Sequence, residues 1–185
     1  MSTIGRLFRV TVFGESNGKM IGVVIDSPPP NMTLDINKVQ HQLRRKRSGQ
    51  GGTDVGKEVD AIEIVSGTEE GVTLGTPLTI TINNPEYCNT RSREHGDHTR
   101  ETMGRVIAGG VADQILAWYD VRVVAFVEQV GDIRVGQIPH DVTRGMVDGS
   151  IVRCPDKEAL KSAGVEVAET ITKIGEAMKI SMGVS

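Results

Sequence analysis

The chain has 185 residues and a mass of 19.9 kDa, enough to bury one good core or two small ones. Its net charge of -3, with 24% charged residues, argues against broad nucleic-acid binding, and no apolar run is long enough to span a bilayer. Aromatic residues make up only 3%, so the core must be aliphatic, and 22 glycines point to many tight turns or close approaches. Cys88 and Cys154 lie far apart, at no metal-ligand spacing and in no disulfide framework. They read as free thiols in a reducing compartment. No charged start is followed by an apolar signal core, so a cytoplasmic location is expected.

Two alternating apolar runs open the chain, 7–13 and 20–25, and both predict strands. Between them, Gly14-Glu15-Ser16-Asn17-Gly18-Lys19 combines two glycines with a carboxylate, a hydroxyl, an amide and an ammonium. A solvated hairpin turn accounts for the glycines, and a ligand loop would account for the polar groups as well. Ser27-Pro28-Pro29-Pro30-Asn31 stops the second strand, because proline cannot continue a ladder. Thr33 or Asp35 can then cap a helix whose Leu34, Ile36, Val39 and Leu43 recur at helical spacing. That helix ends in Arg44-Arg45-Lys46-Arg47 and runs into Ser48-Gly49-Gln50-Gly51-Gly52. Cations at a helix C-terminus suit its dipole, but four in a row before a glycine loop also suit an anion clamp.

Strands are expected over 60–67 and 78–82, punctuated by turns at 68–71 and 75–77. From 83 to 99 the apolar periodicity vanishes, leaving a long loop with Arg91, Arg93, His95, Asp97 and His98. His-Gly-Asp-His has no third ligand at a known spacing, so no metal site is expected, whereas a histidine beside an acid can donate a proton near neutral pH. A helix is expected over 101–118, where Gly104, Gly109 and Gly110 would let it pack closely on a sheet. A strand is expected over 121–130, a loop over 139–149, a short extended piece at 151–153 and a second long helix over 156–179.

Placed in this order, the motifs resemble those of the chorismate synthase family. Thr3-Ile4-Gly5, Leu7-Phe8-Arg9-Val10-Thr11 and Gly14-Glu15-Ser16 resemble its N-terminal signature. Asp26 to Pro30 resembles its Val-Asp-Gly-x-Pro turn, and Arg45-Lys46-Arg47-Ser48-Gly49-Gln50 resembles its Arg-Arg-Arg-Pro-Gly-Gln. The run from Glu63 to Pro77, the helix with Arg100-Glu101-Thr102 and Ala108-Gly109-Gly110, and the strand 124–133 each have a counterpart there. The resemblance implies an α/β fold, a β-α-β sandwich with antiparallel sheets inside and helices outside, of which about the first half is present. The whole of 1–185 would then be a single domain, with an internal deletion near 99/100.

It also implies a reaction: loss of phosphate and a ring hydrogen from 5-enolpyruvylshikimate 3-phosphate to give chorismate, on the shikimate pathway, in a homotetramer that needs reduced FMN, with NADPH as a candidate reductant. By the same resemblance, Lys46, Arg45 and Arg100 fall at cofactor-binding positions. Ser16, Glu15 and Arg47 fall on the substrate side, and His95 takes the place of the histidine that protonates reduced flavin. Asn17 stands where the family has the histidine that protonates the leaving phosphate. An amide can hydrogen-bond phosphate but cannot deliver a proton at neutral pH. Between Thr99 and Arg100 the family's stretch ending in Gly-Gly-Gly-Arg-Ser-Ser-Ala is absent.

Two accounts fit these departures. The sequence is part of a longer protein with segments left out, as the abrupt join at Thr99–Arg100 and the stop at a strand start suggest. Or the chain is a truncated homologue, as its uninterrupted numbering suggests. The expected function is the lyase. The alternatives are a non-catalytic flavin- or anion-binding homologue or an assembly module and, from the glycine loop and basic run alone, a phosphate-binding domain of another family.

Overall fold

The computed structural model describes residues 2–15, 18–46, 61–83, 98–130, 133–136, 138–150 and 153–156. They belong to two compact units, Met1–Arg122 and Val123–Ser185, which are taken in turn.

In the first unit the chain runs β1 (Thr3–Ile4), β2 (Arg9–Gly14), β3 (Met20–Asp26), α1 (Ile36–Lys46), β4 (Ile62–Ser66), β5 (Thr68–Glu69), β6 (Val72–Thr73), β7 (Leu78–Asn83) and α2 (His98–Ala117). Five strands form one antiparallel sheet in the order β1-β2-β3-β7-β4. The register follows the alternation of the sequence. Val10 faces Ile25, Val12 faces Val23, Val23 faces Ile80 and Ile25 faces Leu78, so every second residue of three neighbouring strands lies on one face. Val23, Ile25, Leu78 and Ile80 have no exposed surface at all. Each contributes about 1.5–3 kcal/mol by burial, and with so few aromatics the core rests on such aliphatic contacts. Among the described residues β4 is an edge strand, and its Ile62 N–H donates to the Gln40 side chain at 3.2 Å.

Both helices supply side chains to that same core: Val39 and Leu43 from α1, Ile107, Ala108 and Val111 from α2. Of the two candidate caps, Asp35 is the one used, its carboxylate accepting the Asn37 N–H at 3.0 Å. Thr33 instead bridges to Val72. The β5–β6 hairpin turns on Glu70 and Gly71, both at positive φ, as a two-residue primed turn requires. The proline segment before α1 is tied to this hairpin by Thr73. Its buried hydroxyl donates to the Pro29 carbonyl at 2.6 Å and accepts the Met32 N–H at 3.0 Å.

The α2 glycines divide their work differently from the expectation that all three serve sheet packing. A Cβ at Gly104 would meet Val12 of β2 at 2.5 Å, whereas one at Gly110 would meet α1, 3.1 Å from the Val39 Cα. At Gly109 it would meet nothing within 4 Å. The helix also starts at His98 rather than 101, shortening the loop expected over 83–99.

The second unit holds β8 (Gln129–Val130), β9 (Ile133–Arg134) and α3 (Arg144–Asp148). Two expectations fail here. Within the strand expected over 121–130, only Gln129 and Val130 pair. A strand exists only with a neighbour, and no strand runs beside 123–128 among the described residues. The Val127 N–H goes to the Arg153 carbonyl at 3.0 Å, and the Arg144 guanidinium donates to the Val123 carbonyl at 3.1 Å. The loop expected over 139–149 contains α3, because Thr143 caps it by accepting the Met146 N–H at 3.3 Å. Arg153, expected in an extended piece, has φ 59°. Its guanidinium pairs with Asp148 at 2.7 Å, half-buried on both sides. The helix expected over 156–179 lies almost wholly outside the described residues. Among the described residues, no helix is long and apolar enough to cross a membrane.

Candidate functional site

Gly14 makes the hairpin tip possible. It sits at φ 94°, and a Cβ there would run into the Met20 carbonyl oxygen across the β2–β3 pair. Just beyond it, the Gly18 N–H donates to the Glu15 carbonyl at 2.8 Å, closing a turn. Its two central residues, Ser16 and Asn17, lie outside the described residues, and Glu15 itself is exposed.

α1 and α2 run antiparallel, as two crossings show. Gln114 bonds Asp35 in both directions, its Oε1 accepting the Asp35 N–H at 2.8 Å and its Nε2 donating to the Asp35 carbonyl at 3.1 Å. Four residues further along α1 and four back along α2, Gly110 abuts Val39. The same progression carries the C-terminal turn of α1, with Arg45 and Lys46, to the end of the pair where α2 begins with His98, Thr99 and Arg100. The Arg45 guanidinium donates to Gln42 at 2.8 Å, one turn back on its own helix.

The hairpin tip belongs to the same neighbourhood. Gly104 rests on Val12 of β2. Arg100 is one helical turn from Gly104, about 6 Å along the axis. Gly14 and Glu15 are two and three residues past Val12, within about 10 Å along the strand. The amino end of α2 adds the positive end of its dipole to this region. Arg45, Lys46, Arg100 and Glu15 are thus placed, by backbone position, in one part of the first unit. Arg47 and His95 lie outside the described residues. Sequence reasoning passed over Gln114. Its signal was an amide inside an apolar stripe, between Val111 and Ile115, where a polar group needs a partner. No group of three or more His, Cys, Asp or Glu able to hold a metal occurs among the described residues.

The class is therefore an α/β protein with an antiparallel sheet and an antiparallel helix pair stacked on one of its faces. Comparison with known proteins carries this further. A family model described as chorismate synthase matches residues 8–97 and 86–179. The chain belongs to the chorismate synthase family. Chorismate synthase of Trichodesmium erythraeum is 36% identical over 202 residues, covering 94% of this chain and 54% of that protein. Those of Nostoc punctiforme and a Synechocystis strain are 38% and 39% identical, over 92% and 85% of this chain and 54% and 51% of their own lengths. A crystal structure of chorismate synthase superposes with a TM-score of 0.71 at 26% identity, over 91% of this chain and 54% of that one. The chain spans about half the length of the curated relatives it matches. Covering 94% of 185 residues uses about 174 of them, so about 28 of the 202 positions aligned with the Trichodesmium protein have no residue here.

Proposed function

We propose that this chain is a chorismate-synthase lyase component, acting in the cytoplasm on 5-enolpyruvylshikimate 3-phosphate and holding reduced FMN, in a homotetrameric assembly, with NADPH as a candidate reductant. The observation that carries the reading is the family match, which runs through both units of the chain. It also supports taking 1–185 as a single domain. The family match falls in two stretches that overlap at 86–97, and this, with the aligned positions that have no residue here, supports an internal deletion in that part of the chain, which we put near 99/100.

The residues present fit the cofactor's chemistry. A flavin mononucleotide ends in a phosphate, and Arg45, Lys46 and Arg100 bring cations to the end of the helix pair where α2 begins and its dipole is positive. These three residues would hold FMN, which when bound supplies a transient electron to the allylic system with no net redox change. Ser16, Glu15 and Arg47 would bind the substrate, Arg47 as a fork for its phosphate or carboxylates. His95 would move a proton in the loop before α2. Loss of phosphate breaks a carbon–oxygen bond and a carbon–hydrogen bond, so one group must stabilise the departing phosphate and another must take up or supply protons. Asn17 can do the first by hydrogen bonding and not the second.

That substitution favours a second reading, a homologue that binds flavin or another anion without turnover. FMN titration together with a chorismate assay separates the two. Binding with product formed supports the lyase, binding without product supports the non-catalytic homologue, and absence of both overturns the site.

A further inference from the structure

Apolar burial holds α1 against α2, but it is non-directional and does not set where along its axis each helix stops. At the Gly110–Val39 crossing, α2 presents no side chain, and Val39 lies directly against its backbone. Gln114 is different. Its amide reads the backbone of residue 35 as a peptide partner would, accepting the Asp35 N–H at 2.8 Å and donating to the Asp35 carbonyl at 3.1 Å. A further bond, from Nε2 to the Gly110 carbonyl at 3.1 Å, anchors the amide to its own helix. Asp35 is the residue that caps α1. A slip of α1 by one turn would carry it about 5.4 Å along the axis and break both interhelical bonds.

We infer that Gln114 is a positioning residue: it fixes the axial register of α1 on α2 and, through the length of α1, the spacing of Arg45 and Lys46 from Arg100. Its functional consequence rests on the flavin-binding reading above. Among the described residues, Gln114 bonds to none of those assigned to ligand, and it lies at the opposite end of the helix pair from them.

The register can be read without flavin. Nitroxide labels at His41→Cys and Ala117→Cys, both exposed positions, report the axial offset of the helices by pulsed electron spin resonance, with Cys88 changed to serine and the buried Cys154 left in place. The parent should give one narrow distance. Gln114→Leu, similar in size but without the amide, should shift or broaden it by several ångströms, up to about a full turn of 5.4 Å. FMN affinity should fall with it, on the order of tenfold, the factor that about 1.4 kcal/mol represents. Gln114→Glu keeps an acceptor for the Asp35 N–H and loses the donors, so it should fall between the two and serves if the leucine variant does not fold. Ile107→Val lowers core stability without touching the clamp and should leave distance and affinity at parental values. A parental distance in Gln114→Leu overturns the inference, and so does an equal change in Ile107→Val. A parent that binds no FMN removes the flavin reading and leaves the distance test standing.

Discussion

The same substitution, glycine to alanine, should have different effects at two positions of α2 five residues apart. In either place alanine gains about 0.5–1 kcal/mol, because the unfolded chain loses freedom and the helix gains a better former. At Gly109 the new methyl meets nothing within 4 Å, so that gain should stand alone. At Gly104 it would lie 2.5 and 2.6 Å from the two methyls of Val12. Carbon atoms prefer about 3.5–4.0 Å, so α2 or Val12 must give by roughly 1 Å. Forcing a methyl into such a core costs about 1–3 kcal/mol. The propensity term is common to both variants, so their difference isolates the helix–sheet contact. Gly109→Ala should melt above the parent by about 2–4 °C per kcal/mol gained, and Gly104→Ala should unfold about 1–3 kcal/mol more readily than Gly109→Ala. Urea denaturation at constant m gives the comparison directly. Equal midpoints, or a higher one for Gly104→Ala, would refute the packing of α2 on β2 and with it the argument that brings Arg100 near the hairpin tip.

Thr73→Val should cost about 1–3 kcal/mol in urea unfolding, since the Met32 N–H stays buried with its side-chain acceptor gone; a neutral result would mean that water reaches the site. Gly14→Ala should lose at least about 1–2 kcal/mol from its positive φ alone, and more from the Met20 carbonyl, seen as a lower urea midpoint and faster amide exchange across the β2–β3 pair. Asn17→His should raise chorismate formation by about 10²–10⁴-fold if a missing general acid limits turnover, and no gain would count against that role.

Much of the first unit was legible because local and global preferences agree there. Strict alternation over Val10–Val12, Ile21–Ile25 and Leu78–Ile82 leaves one register in which all the apolar side chains share a face. The helix over α1 was equally plain, down to a choice between Thr33 and Asp35 that the sequence left open and hydrogen bonding resolved. The stretch 121–130 was misleading for the opposite reason. Its valines satisfy strand propensity, yet propensity describes fitness for a pleated surface and supplies no neighbour to pair with. Thr143 marked the start of α3, but a five-residue helix gives too short a pattern for periodicity to register. For the site, residue identity and order pointed to the family. Which glycine faces which layer depended on helix phase, and phase is set by contacts distant in sequence.

Those contacts also explain why the cationic end of the first unit should be sensitive to changes far from it. At two points the layers touch through small and β-branched residues, Val12 on Gly104 and Val39 on Gly110. Such surfaces come close together, which brings the basic turn of α1 and the first turn of α2 to one end. Sliding costs less than separating, because sliding keeps most of the apolar area buried. A bond that is both directional and at a helix end opposes sliding most effectively, since it fixes one terminus and the rigid helix carries the constraint to the other. Affinity for an anion at the basic end should therefore follow the geometry of the Gln114–Asp35 pair more closely than it follows the stability of the core.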